Sequence, residues 1–167
     1  MVGARSLRLP LWHPAMLLAT GFGTGLLPFA PGTWGSLAAL PLAWAIRSHW
    51  GIVGIAIAAA LACLLGWWAA AIVAKASGPE DPGAIVIDEV VAQWVVLVPA
   101  PLDPLAYVLA FGLFRVFDVW KPWPARWADQ HVKGGLGIVL DDLLAAVYAV
   151  GLLSVLLAIG GASGVRS

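Results

Sequence analysis

Charge is what this chain has least of. Lys, Arg, Asp and Glu make up 11% of its 167 residues, less than half the roughly 25% of an ordinary soluble domain. So few charges cannot clothe a water-facing surface, and the same shortage excludes disorder, which depends on polar residues. Nine basic residues cancel nine acidic ones, so no basic face exists to hold nucleic acid through phosphate contacts and counterion release. Cysteine is almost missing: Cys63 stands alone inside the longest apolar run. A disulfide framework and a cysteine-built zinc site are thereby excluded, and Cys63 is expected to be apolar filler.

What is present in excess is apolar side chain, 62% of the chain, with a mean hydropathy of +0.94. This is the composition of a protein solvated largely by lipid. About 20 apolar residues cross a hydrocarbon core. Residues 52–74 are uncharged and lie between Arg47 and Lys75, and residues 143–160 form a second such run. Residues 9–46 are also uncharged, but Pro28, Pro31 and five glycines between positions 21 and 35 interrupt a helix there. A first span is therefore expected at residues 35–49. Residues 84–117 contain Asp88, Glu89 and Asp103, with Pro99, Pro101 and Pro104 in the middle of the stretch. They predict either a hairpin of short spans, residues 85–98 and 105–117, or a re-entrant loop.

The expectation is an all-α, polytopic membrane protein of four to five spans, some short or re-entrant, in a single domain. Residues 1–34 would be an interfacial segment with a Gly/Pro-rich turn, residues 35–160 the helical membrane core and residues 161–167 a tail. Arg5 and Arg8 ahead of an apolar stretch resemble the start of a signal peptide. No small-residue cleavage site follows, so this segment is expected to stay as a short basic helix on the membrane surface.

In this plan Arg5, Arg8, Lys75, Arg115, Lys121, Arg126 and Lys133 share one side, leaving Arg47 and Arg166 on the other. The excess places that side in the cytoplasm. Three polar segments, residues 20–36, 75–89 and 115–142, meet there. They contain eight of the nine acidic residues, all but Asp103. Carboxylates at membrane helix ends need solvent, a partner or a metal. Asp88-Glu89 and Asp141-Asp142 stand where spans are expected to begin, a position the helix dipole by itself favours. Joined by Asp118 and Asp129, they exceed what capping requires. Oxygen-only ligands suit a hard cation such as Mg²⁺.

Gly21-Phe22-Gly23-Thr24-Gly25 and Pro31-Gly32-Thr33-Trp34-Gly35-Ser36 are glycine-rich turns whose amides and hydroxyls, notably Thr24, Thr33 and Ser36, suit a phosphate. The same glycines also suit tight helix packing. On a helix continuing to Lys121, Asp118 and Lys121 are neighbours and Arg115 joins their face, a grouping able to take a metal and a phosphate together. Trp120, Trp123 and Trp127 read as a headgroup-level belt. Lys133 enters another glycine turn, Gly134-Gly135-Leu136-Gly137, where a cation and free amides suit an anion. His131 is a candidate general base by its near-neutral pKa, against the plainer reading of a local hydrogen bond.

These motifs, with Ile85-Val86-Ile87-Asp88-Glu89, Phe114-Arg115-Val116-Phe117-Asp118-Val119-Trp120-Lys121-Pro122 and His131 to Asp142, resemble the phosphatidylglycerophosphatase A family from about Ala19 to Tyr148. The resemblance implies a bacterial inner-membrane, Mg²⁺-dependent phosphatase that converts phosphatidylglycerophosphate to phosphatidylglycerol and phosphate. It also implies Asp88, Glu89, Asp118, Lys121, Lys133, Asp141 and Asp142 as the polar centre. Within that set we expect metal binding by Asp88, Glu89, Asp118, Asp141 and Asp142. Catalysis is expected from Asp88, Glu89, Asp118, Lys121, Lys133 and Asp142. Substrate contacts are expected from Thr24, Thr33, Ser36, Arg115, Lys121, Lys133 and Gly134. Two other classes remain open: a phosphatidyltransferase, whose Asp-Gly-x-x-Ala-Arg signature is absent, and a small transporter or scaffold, for which residues 52–74 and 143–160 supply almost no polar side chains.

Overall fold

The computed structural model describes residues 9–77 and 83–164 and contains only helices among them. In chain order these are α1 (Pro14–Ala19), a single 3₁₀ turn (Thr24–Leu26), α2 (Pro31–Ser77), α3 (Ile87–Leu97), α4 (Pro104–Trp120), α5 (Ala125–His131) and α6 (Gly134–Gly164). Arg5, Arg8 and Arg166 lie outside the described residues.

The long run α2 is a hairpin. At Gly51 the backbone leaves helical geometry, with φ 64° and ψ −160°, a region open essentially to glycine alone. A Cβ at position 51 would touch nothing, so glycine is needed there for its torsion and not for space. A straight helix would hold positions 35 and 66 about 46 Å apart. Both instead pack on consecutive residues of one segment: a Cβ at Gly35 would lie 3.0 Å from Val86, and one at Gly66 3.0 Å from Ile87. The first arm, residues 31–50, and the second, residues 52–77, therefore run back along each other. The expected segments 35–49 and 52–74 correspond to these arms, with the first helix starting earlier, at Pro31, where the missing N–H costs nothing.

Helix α3 starts beside the first arm's beginning and ends beside its far end, where Arg47 Nη1 donates to the Val98 carbonyl at 2.8 Å. Along the way Trp94 Nε1 donates to the Ala39 carbonyl at 3.0 Å. A proline-rich turn leads to α4, which Asp103 caps by accepting from the Ala106 amide at 2.8 Å, with Pro104 in its first turn.

One expectation fails at α6. The helix begins at Gly134, not at 143, so Asp141 and Asp142 sit inside it instead of at its start. Three glycines weaken helix propensity and mask the continuity in the sequence. Two of them are required by packing: a Cβ at Gly135 would stand 2.4 Å from the Ala71 amide nitrogen, and one at Gly137 1.9 Å from the Val132 carbonyl oxygen.

Small side chains line the interior. Ala43, Ile55, Val96, Phe114, Ala145 and Leu153 form a core among the α2 arms, α3, α4 and α6. Ala15, Met16 and Ala19 of α1 join Ala69, Ala70 and Val73 of the second arm in another. Alanine and glycine at these seams let helix backbones approach closely, the packing mode of membrane helices. By length and composition two helices, Pro31–Ser77 and Gly134–Gly160, suffice to cross a membrane, and only 22% of the most apolar window of each is buried. Leu61, Leu64, Leu65, Trp67, Val147, Val155 and Ile159 are exposed outward. A soluble protein's core helices bury such residues; here lipid is the fitting solvent.

Candidate active site

The hairpin topology brings one set of helix ends together: the start of α2 and the end of its second arm, the start of α3, the end of α4, the end of α5 and the start of α6. Between them opens a cavity of about 820 Å³ lined by Asp88, Glu89, Asp118, Asp129, Asp141, Asp142, Lys75, Lys121, Lys133 and the α6 glycines Gly134, Gly135 and Gly137. Every carboxylate expected to bind metal is in that lining, as are Lys121, Lys133 and Gly134.

Asp88 and Glu89 occupy the first turn of α3, where the exposed N–H groups favour negative charge. Glu89 lies directly on the first turn of α2. A Cβ at Gly32 would come 1.9 Å from its Oε1, so glycine at 32 leaves room for the carboxylate in this position. Asp88, Glu89 and Asp142 each offer an oxygen within 4.8 Å of the others. Four carboxylate oxygens here, Asp88 Oδ1, Glu89 Oε2, Asp141 Oδ1 and Asp142 Oδ2, are buried without a hydrogen-bond partner. Burying carboxylate oxygens unpaired costs several kcal/mol each, on the order of a lost charge-assisted bond or more. Their convergence is the arrangement a divalent cation resolves, and oxygen donors alone select a hard one.

The cations are held differently from the expectation. Arg115 Nη1 pairs with Asp118 Oδ2 at 2.6 Å and donates to Ser36 Oγ at 3.5 Å. Ser36, fully buried, donates in turn to the Gly32 carbonyl at 2.9 Å. Arg115 and Ser36 thus buttress Asp118 from behind and do not line the cavity. Lys121 is not a helical neighbour of Asp118; it is the residue that ends α4, in left-handed conformation with φ 47°. That turn swings its Nζ onto Asp141 and onto Asp129 Oδ1, the latter at 3.0 Å. Burial opposes the ammonium charge, but the hydrogen bond and charge of Asp141, with Asp129 and Asp142 behind it, prevail and raise the Lys121 pKa above its ordinary value.

Thr24 and Thr33 are not at the cavity. The Thr24 hydroxyl donates to the carbonyls of Thr20 and Gly21 at 3.3 and 3.1 Å, and Thr33, half-buried in the first turn of α2, is not part of the cavity wall. The first glycine turn serves packing: a Cβ at Gly25 would strike the Ala84 carbonyl oxygen at 2.1 Å, and Val86 N donates to the Ala19 carbonyl at 2.8 Å. It seats the segment that delivers Asp88. His131 is exposed, stacked on Trp127 and hydrogen-bonded through Nδ1 to the Trp127 carbonyl at 2.9 Å, the local role and not that of a base. Lys75 was not among the expected site residues. Its place on the cavity follows from the contact of Ala71 with Gly135 one turn earlier, which no local pattern announces.

A cluster of carboxylates, an ion-paired lysine and a glycine-rich helix start thus meet at one end of an apolar helical bundle. The sequence model of the family described as phosphatidylglycerophosphatase A matches residues 17–157. The chain belongs to this family. It is 42% identical over 149 residues to the phosphatidylglycerophosphatase A of Escherichia coli K12, covering 87% of this chain and 85% of that one. To the Haemophilus influenzae phosphatidylglycerophosphatase A it is 44% identical over 144 residues, covering 86% and 88%. A Bacteroides thetaiotaomicron protein, provisionally named phosphatidylinositol-3-phosphatase, is 40% identical over 149 residues, covering 84% and 91%. No solved structure matches significantly. The matched residues of this family member include every side chain named above around the cavity.

Proposed function

We propose that this family member is a phosphatidylglycerophosphatase, a phosphoric monoester hydrolase of phospholipid synthesis that releases the terminal phosphate of phosphatidylglycerophosphate and leaves phosphatidylglycerol. The observation that carries the mechanism is the convergence of buried, unpartnered carboxylate oxygens on one cavity beside the ion-paired Lys121. Asp88, Glu89 and Asp142 would hold Mg²⁺, with Asp118 and Asp141 beside them. When bound, Mg²⁺ supplies Lewis-acid polarisation of the phosphoryl group.

The chain's own residues do the rest. The phosphomonoester enters against the start of α6, where Gly134 and Gly135 offer backbone amides unhindered by side chains. Lys121, pre-positioned by Asp129 and Asp141, offsets charge on the phosphoryl oxygens as the transition state forms. A carboxylate left free of metal accepts a proton from the attacking water. A new P–O bond forms, the bond to the glycerol oxygen breaks, and that oxygen takes up a proton. Asp118, held by Arg115, is the carboxylate with fixed orientation and suits this role.

The same reading places the protein in a bacterial inner membrane with five crossings, the two α2 arms, a short α3, α4 and α6, and the cavity at the cytoplasmic face. Lys75, Arg115, Lys121 and Lys133 stand at the cavity end and Arg47 at the opposite end, which supports that orientation. Purified protein in detergent micelles, freed of metal by chelation and resupplied with Mg²⁺, should release phosphate from phosphatidylglycerophosphate only in the resupplied sample. Phosphatidylinositol 3-phosphate serves as the competing substrate, and preferential turnover of it would reassign the headgroup while keeping the chemistry.

A further inference from the structure

Two of the cations around the cavity are already engaged. Lys121 is bound by Asp129 and Asp141, and Arg115 by Asp118. The other two lining or flanking it, Lys75 and Lys133, form no ion pair among the described residues. Both are exposed and both line the cavity, whereas Asp88 and Asp142 at its floor are buried. They also lie on one seam. Ala71 receives Gly135 in close contact; Lys75 is one helical turn beyond Ala71, and Lys133 is two residues ahead of Gly135. The cavity thus has an acidic floor suited to a metal and a basic lip. A single phosphomonoester bound at the floor leaves that lip without an occupant.

We infer that Lys75 and Lys133 form an anion subsite at the cavity mouth that takes the phosphodiester of the lipid whose phosphomonoester is hydrolysed at the floor. This deepens the phosphatase reading and rests on it. The substrate then bridges two sites: the reacting monoester meets metal, Lys121 and the α6 amides, and the diester, one glycerol away and nearer the acyl chains, meets two ammonium groups at the rim. Lysine suits the lip because a flexible point charge follows a diester that carries one negative charge and moves with the lipid. Lipids bearing a phosphomonoester alone lose this contact, so the subsite contributes to headgroup choice.

The two reaction products separate the two sites. Phosphatidylglycerol keeps the diester, and inorganic phosphate is the reacting group. In uncharged detergent micelles with Mg²⁺, Lys75→Met should raise KM for phosphatidylglycerophosphate and the inhibition constant of phosphatidylglycerol about tenfold, the worth of one charged hydrogen bond. The inhibition constant of inorganic phosphate and kcat should stay within about twofold, and Lys75→Arg should recover most of the KM. Lys133→Met should raise KM and the inhibition constant of phosphatidylglycerol likewise. Equal weakening of both products would put Lys75 at the reacting phosphate and overturn the subsite, as would unchanged KM or an arginine variant as impaired as methionine. Absence of phosphate release by the unsubstituted protein is a different failure, that of the phosphatase reading itself.

Discussion

At the scale of single residues, the site is built by paired demands. Glu89 packs its carboxylate against position 32, where the missing Cβ leaves room for it, and Lys121 reaches Asp141 from the left-handed turn that ends α4. On the proposed metal site, Asp88→Asn and Asp142→Asn would remove ligand charge from partly dehydrated positions. Each should lower phosphate release by about a hundredfold or more and raise the Mg²⁺ concentration for half-maximal activity. Asp103→Asn is the matched control, since Asn caps α4 as Asp does; it should retain activity and thermal stability in detergent. A fall at position 103 equal to that at 88 would identify a folding defect. Lys121→Met strands the buried Asp141 carboxylate and should destabilise the protein by about 3 kcal/mol. Adding Asp141→Asn should recover most of that stability without recovering activity, a split read by thermal unfolding beside the phosphate assay.

Elements matter through their ends. The reversal at Gly51 determines that Pro31 and Ser77 emerge on the same side, and so that Gly32 and Lys75 share a cavity with Asp88. Any residue with a Cβ placed at φ 64° and ψ −160° is strained by about 1–3 kcal/mol. Gly51→Ala should therefore lower stability by that amount while leaving the Mg²⁺ dependence of the folded fraction unchanged. Gly135→Leu is predicted to act at the other seam. Its side chain would meet the Ala71 backbone, force α6 away from the second arm and separate Asp142 from Asp88. Activity should be lost with secondary structure retained by circular dichroism.

On the scale of the whole molecule, an apolar bundle presents its polar groups at one end. The orientation is checked by single cysteines in a Cys63→Ala background. One at Gln130, exposed on α5, should be protected in intact cells from an impermeant thiol reagent, and one at Ser48, exposed at the opposite end, should react. Labelling from outside at 130 alone would invert the topology and remove the site from the cytoplasm.

The sequence alone determined what depends on composition and short-range order: a chain suited to lipid, helix as the only regular structure among the described residues, and the meeting on one side of the carboxylates at positions 88, 89, 118, 129, 141 and 142. Each of these follows from counts, hydropathy and the parity of apolar runs, all of which are local or additive. Tertiary structure decided which polar groups the cavity receives. Thr24 reads as a phosphate contact until its hydroxyl is seen closing its own turn. Lys121 reads as a partner of Asp118 until the end of α4 turns it onto Asp141. Lys75 reads only as a basic residue on the shared side, and its place on the cavity wall comes from Ala71 meeting Gly135 across helices. The glycines were ambiguous for the same physical reason: a missing side chain suits a phosphate and a neighbouring helix equally, and only the packed partner tells the two apart.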